Sequence, residues 1–332
     1  MSTIAVDDDA DTNVDCIELR SALEGIGCDK QTLMGVVCRR NQQQRSNIRH
    51  MYGKKYEEDL IKRLQSKLHG NFQNAVALWM CDPAERDAVV IKNGLNSWTN
   101  KGLCAVVEII YARTPLEMDA IRRAYRVMYK CSVEQQIGLK SSGDEKKLLL
   151  ALVREDRPAI IEPDMESAKT DAEGLLKAIS SRPIDKSSIV KTISIRSPIQ
   201  LKATLDYYKK ENRHSFGKLV KQEINGNFSA LLGVAMKYAK SRINYFAKTL
   251  YKSMKGLGTD DATLVRILVM RAEIDMQEIK TQFYKKYRRT LESMMISDTS
   301  GSYASFLLFL VGATQDEIQA VGKIKHLFTS WR

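Results

Sequence analysis

No stretch of this sequence approaches the ~18 consecutive apolar residues that a membrane-spanning helix needs. The apolar run from Phe306 to Val311 has the length of a core segment. Six prolines are few for 332 residues, and Ala, Leu, Lys, Glu and Met recur, so the composition leans helical. The six cysteines, at 16, 28, 38, 81, 104 and 131, include no CxxC pair. That argues against zinc and against a disulfide framework, and for the reduced thiols of a cytosolic protein. The first residues, Met1 to Val6, lack the basic flank and apolar core of a secretory signal. Histidine is scarce too: the four, at 50, 69, 214 and 326, have neither metal-ligand spacing nor the nucleophile partner of a catalytic constellation. With no catalytic constellation in view, the chain is expected to bind rather than to catalyse.

Charge is abundant and unevenly placed. Residues 1–15 hold five aspartates and no base, so the remainder sets 52 basic against 35 acidic residues, a net of +17. Such an excess suits an anionic partner: lipid head groups, nucleic acid or an acidic protein.

The chain also repeats itself. With Arg40, Arg113, Arg196 and Arg271 in register, thirty residues downstream stand Gly70, Gly143, Gly226 and Gly301, with no gap. Tyr52, Tyr125, Tyr208 and Phe283 share a register, as do Leu64, Ile137, Val220 and Met295. The periods of 73, 83 and 75 residues leave room for four or five short helices per unit. Apolar positions spaced i, i+4, i+8, as in Ile121, Tyr125 and Tyr129, mark helices, and the recurring Tyr, Leu and Ile positions mark their packed faces. The recurring glycine is expected to end or turn a helix at positive φ. The longer second period is taken up by a linker from Arg157-Pro158 to Pro163-Asp164.

In the fourth unit the segment Met254-Lys255-Gly256-Leu257-Gly258-Thr259-Asp260 lies ahead of Asp298, which is 40 residues beyond Gly258. Calcium takes six to eight oxygens, and glycines let a short loop aim successive carbonyls at one ion. The carbonyls of Met254, Gly256 and Gly258 with a bidentate Asp298 would supply five oxygens and leave positions for water or a lipid phosphate. Leu257, with Lys255 beside it, would then meet the bilayer surface.

The glycine loop, the spaced acid inside Asp298-Thr299-Ser300-Gly301 and the fourfold Arg/Gly register resemble an annexin over residues 15–314. The run Asp82-Pro83-Ala84-Glu85-Arg86-Asp87-Ala88 is similar to plant annexins in particular. The resemblance implies an all-α fold of four five-helix repeats in a curved disc. The expected division is an acidic tail at 1–14, repeats at 15–84 and 85–157, a linker at 158–166, repeats at 167–241 and 242–314, and an extension at 315–332. The resemblance also implies a minor calcium site at Thr259 and Asp261. It further places Asp87, Glu108, Arg113 and Arg271 along a central channel, with Asp87 paired to Arg113 and Glu108 to Arg271. Buried pairs of this kind are usually architectural, so scaffold is favoured over ion conduction.

The departures from the family pattern limit the sites to one good one. Repeat one keeps Gly25-Ile26-Gly27, but Cys28 replaces the threonine and Lys67 stands in the register of Asp298. Repeat two has lost the glycines, reading Ser97-Trp98-Thr99-Asn100, and Lys140 takes the acid position. Repeat three retains Glu223, yet its loop reads Ser180-Ser181-Arg182-Pro183. Lys67 and Lys140 are therefore expected on the membrane-facing side, able to meet lipid phosphate without calcium. Plant annexins often carry a histidine where this chain has Arg39, which weakens a peroxidase reading.

Other signals are weaker. Asp7 to Glu18 imitates a calcium-binding EF-hand loop, but Thr12 replaces its glycine and no entering helix precedes it, so an acidic tail leading to an Asp15-capped helix is expected. Asp298-Thr299-Ser300-Gly301 fits a DxxG nucleotide motif without a Walker loop. Trp98 suits either lipid insertion or packing, and Ile318, Val321, Ile324 and Phe328 give the extension a partial helical stripe. The expected function is calcium-dependent binding to acidic phospholipid membranes, cytoplasmic at rest, with self-association on the membrane and an electrostatic contribution that needs no calcium. The alternatives are a basic helical-repeat protein for RNA or another polyanion, and an ion-conducting annexin; phased aromatics in apolar stripes speak against base stacking.

Overall fold

In the computed structural model, residues 1–97, 99–154, 157, 161–314 and 316–318 are described. Trp98, residues 155–156 and 158–160 between repeats two and three, residue 315 and the extension from 319 onward lie outside the described residues. The described residues form helices joined by short loops. The first repeat supplies α1 (Thr12–Ala22), α2 (Lys30–Val37), α3 (Gln42–Tyr56), α4 (Leu60–Lys67) and α5 (Gly70–Met80). The second supplies α6 (Pro83–Asn96), α7 (Asn100–Ala112), α8 (Pro115–Tyr129), α9 (Val133–Lys140) and α10 (Gly143–Arg154). The third supplies α11 (Met165–Ser180), α12 (Lys186–Ile195), α13 (Pro198–Asn212), α14 (Phe216–Glu223) and α15 (Gly226–Lys240). The fourth supplies α16 (Arg242–Met254), α17 (Asp261–Arg271), α18 (Met276–Tyr287), α19 (Leu291–Asp298) and α20 (Gly301–Leu310). None of these helices is long and apolar enough to cross a membrane.

Helix boundaries follow local chemistry. Asp29, Asp59, Asp185 and Asp260 each cap the helix that follows, accepting a backbone N–H of its first turn. The four in-register glycines turn the chain between the fourth and fifth helix of each repeat, at φ 63, 56, 78 and 62°. They open the next helix rather than close the last one. The first helix departs from expectation: Asp11 is its cap, accepting from the Asn13 and Val14 amides, and α1 starts at Thr12. Asp15 sits inside the first turn, buried, because its carboxylate is claimed by Arg40 at 2.6 and 2.7 Å.

The chain divides into two compact units, Met1–Pro83 with Ile243–Arg332, and Ala84–Arg242. In the first, α5 packs against α17 and α20, with Phe72 and Phe306 edge to face at 5.9 Å. The N-terminal segment belongs to this core: Thr3 donates to the Leu310 carbonyl, and the Met1 amine meets Glu278 at 2.6 Å. In the second, α7 packs against α15, with Tyr111 and Tyr238 edge to face at 6.0 Å. Arg157 is buried there, donating to the Leu152 and Ile110 carbonyls, so the connection between repeats two and three is anchored where it starts. The phased Tyr52, Tyr125, Tyr208 and Phe283 are all fully buried, as a packing role requires.

Candidate calcium site

A helix C-terminus leaves carbonyls without intrahelical partners and carries partial negative charge. In repeat four two such ends, of α16 at Met254 and of α19 at Asp298, flank one loop, and the second end bears a carboxylate. The loop leaves α16 through Gly256 at φ 117° and Gly258 at φ 83°, both with open space where a side chain would stand. It closes when the Asp260 amide donates to the Ser253 carbonyl at 2.7 Å, and Asp260 then caps α17 through the Thr263 amide. Thr259 Oγ1 donates to the Asp298 carbonyl at 3.3 Å, which ties the loop to the acid 39 residues away. Asp298 is half-buried, with Ser297 Oγ donating to its carboxylate at 3.0 Å.

Between the glycines Leu257 is thrust fully into solvent, at 109% relative exposure. Lys255 is exposed beside it, its ammonium 5.7 Å from the centre of the Tyr251 ring. Among the described residues no group of three or more His, Cys, Asp or Glu side chains could hold a metal ion. A cation here would therefore rely on backbone carbonyls plus a single acid, the donor set that a glycine loop supplies. Of the pair read as a minor site, Asp261 already accepts from Tyr303 Oη at 2.7 Å. Burial, and then that bond, push the Tyr303 phenol well above its ordinary range, so the hydroxyl stays a donor.

The same loop frame recurs. Asp29 donates to Ala22 at 2.9 Å and Asp185 to Ala178 at 3.0 Å, each the counterpart of the Asp260–Ser253 closure. What fills the frame differs. In repeat one Gly25 and Gly27 keep positive φ, 66 and 91°, and Lys67 Nζ donates to the Gly25 carbonyl at 2.5 Å. In repeat three Arg182 meets the Glu223 carboxylate at 3.0 Å and also donates to the Ser181 and Ile179 carbonyls. The sequence reading singled out the missing glycines of repeat three but not this arginine, although Arg182 lies in the loop and Glu223 is at the acid position. Lys140 is exposed at the end of α9 in repeat two.

Of the residues assigned to a channel, Arg113 and Asp87 are joined as expected, at 2.6 and 3.3 Å, with both side chains largely enclosed. Glu108 is fully buried in α7. The two-point partner of Arg271 is Asp275, four residues on, with Nε to Oδ1 at 2.7 Å.

Comparison with known proteins gives one family. The annexin family model matches four times, at residues 14–79, 87–152, 170–234 and 245–310. Annexin D5 of Arabidopsis thaliana is 37% identical over 300 residues, covering 90% of this chain and 95% of that protein. Among solved structures, annexin III superposes with a TM-score of 0.88 at 32% identity, covering 95% of this chain and 98% of the other. A structure of calcium-bound annexin (Sm)1 superposes with a TM-score of 0.80 at 26% identity, covering 94% and 93% of the two chains.

Proposed function

This chain belongs to the annexin family, and from that premise we propose that it binds acidic phospholipid membranes in a calcium-dependent way through the repeat-four loop. The carbonyls of Met254, Gly256 and Gly258 and the carboxylate of Asp298 would hold the ion. Bound there, calcium supplies positive charge that a lipid phosphate can share. The residues of the chain do the rest. The glycines hold the carbonyls outward, Thr259 fixes the loop to the end of α19, and Leu257 offers an aliphatic side chain to the acyl region. The observation that carries this reading is the Thr259–Asp298 bond, which draws the glycine loop and its spaced acid into one place. Thr259 and Asp261 remain the proposed minor site, reduced to what Tyr303 leaves of the Asp261 carboxylate.

The protein is read as a cytoplasmic binding protein that becomes peripheral at membranes when calcium rises, with self-association following on the membrane, and not as an enzyme. Its basic surface, +17 beyond the acidic first 15 residues, adds adhesion that does not need calcium. Two observations speak against the polyanion and channel alternatives. The phased aromatics are fully buried and offer no stacking platform, and Arg113 and Asp87 are closed on each other. The test is co-sedimentation with phosphatidylserine-containing vesicles, with and without calcium, at two salt concentrations. Asp298→Ala should remove most of the calcium-stimulated binding and leave helicity unchanged. Full calcium stimulation in that variant would sink the repeat-four assignment.

A further inference from the structure

We propose that the repeat-one loop is a calcium-free site for the phosphate of an acidic phospholipid, with the Lys67 ammonium acting as the resident cation. The proposal rests on the membrane reading above for the direction in which the loop faces. An offset of 231 residues superposes Ala22, Gly25, Ile26, Gly27, Asp29 and Lys67 on Ser253, Gly256, Leu257, Gly258, Asp260 and Asp298. Both loops close through the same amide-to-carbonyl bond and both keep two positive-φ glycines. The one chemical inversion is at the end of the fourth helix, where a carboxylate becomes an ammonium. That ammonium is bonded to the Gly25 carbonyl, the counterpart of a carbonyl proposed as a calcium ligand.

The electrostatics are consistent with the exchange. Carbonyls at the C-termini of α1 and α4 favour a cation, and a covalently attached one satisfies them at any calcium concentration. An ammonium has three donors; Gly25 is its one partner among the described residues, so two remain for phosphate oxygens. Repeat three shows the contrasting case: Arg182 fills its frame too, but Glu223 neutralises it and no net charge is presented. A second feature of repeat one points the same way. Ile26 stands between its two glycines at 109% relative exposure, matching Leu257 at 109% in repeat four. An isolated, fully exposed aliphatic side chain beside a cation is the pairing that a bilayer surface rewards, with phosphate above and acyl chain below.

The experiment uses the full chain and phosphatidylcholine vesicles containing phosphatidylserine, in chelator at low ionic strength. Lys67→Met should weaken calcium-free binding about fivefold. Lys62→Met, which removes the same charge from an exposed position on the same helix, should change it less than about 1.5-fold, and Ile26→Ser should weaken it with charge unchanged. Equal losses for the two lysine variants would overturn the site and leave only diffuse attraction. A Lys67→Met loss on a heparin resin as large as that on vesicles would overturn the lipid assignment. The calcium arm separates this from the repeat-four reading: Lys67→Met should keep the full calcium-stimulated increment. Absence of that increment in the unmodified protein would remove the repeat-four reading, while the chelator arm would still judge Lys67. As a converse, Lys67→Glu should lose calcium-free binding and gain one calcium per chain by calorimetry; no added calcium would show that the ammonium does not stand in a calcium position.

Discussion

The guanidinium of Arg271 lies 4.9 Å from the centre of the Phe246 ring. In the other repeats the position 25 or 26 residues before the in-register arginine is an aspartate, and Asp15, Asp87 and Asp171 each hold their arginine at two points. Repeat four has lost that acid to Phe246. Its arginine keeps a cation–π contact with the replacement and draws its carboxylate from Asp275 on its own side of the turn. Asp275→Ala should therefore leave a buried guanidinium short of its counter-ion and destabilise the first unit by about 3 kcal/mol. Adding Phe246→Asp restores the pattern of the other repeats, so a double-mutant cycle in urea should show favourable coupling of about 1–2 kcal/mol. Simple additivity would mean that Asp275 is not the substitute for the missing acid.

Tyr125 and Tyr208 bury hydroxyls that find no hydrogen-bond partner among the described residues, and repeat four already has Phe283 in that register. Tyr125→Phe should stabilise the protein by about 1 kcal/mol, by relieving an unmet polar group at constant shape. Burial also raises the Tyr125 phenol above its ordinary value of 10.0. The unfolded chain therefore ionises first, and this tyrosine's contribution is whole below pH 10 and falls as pH rises beyond it. The variant should lose less stability than the parent between pH 10 and 11, measured by denaturant melts.

The repeats, their helical character and the glycine loop of repeat four are legible because each leaves a mark at fixed spacing: packed faces at helical period, glycines at positive φ, one acid at matching distance. What was not legible depends on side-chain reach. The sequence alone offers Asp15 as a cap, yet an arginine 25 residues on claims it and the cap falls to Asp11. The two-point bond of Arg271 to Asp275, four residues on, leaves no mark in the repeat pattern. Lys67 was legible as a lost calcium ligand; that its ammonium bonds the Gly25 carbonyl was not, since spacing says nothing of where a four-carbon stem ends.

Two glycines, one in a loop and one in a helix, separate conformation from packing. A Cβ at Gly256 would meet nothing within 4 Å, so only its φ of 117° resists substitution. Gly256→Ala should strain the loop by about 1–3 kcal/mol and weaken calcium-stimulated vesicle binding about tenfold. Gly174→Ala, at an exposed helical position of α11 that is equally open, should instead stabilise by about 0.5–1 kcal/mol and leave binding alone. Unchanged calcium response in Gly256→Ala would mean that the loop carbonyls are not the ligands.

The division of the chain predicts where calcium is felt. The repeat-four loop belongs to the unit formed by Met1–Pro83 and Ile243–Arg332, in which α5 of repeat one packs on α17 and α20. Repeats two and three lie in the other unit and lack the glycine loop. A ligand that binds only the folded state stabilises the cooperative unit holding its site, by about 2.7 kcal/mol at a hundredfold excess over Kd. Calcium should therefore slow amide exchange in α17, α19 and α20, and equally in α5, nearly two hundred residues away along the chain. Exchange in α7, α10, α12 and α15 should not change. Hydrogen–deuterium exchange with and without calcium, in the absence of lipid, reads this directly. Protection spread evenly over both units would place a working calcium site in repeat two or three, where Arg182 now meets Glu223 and Lys140 replaces the acid.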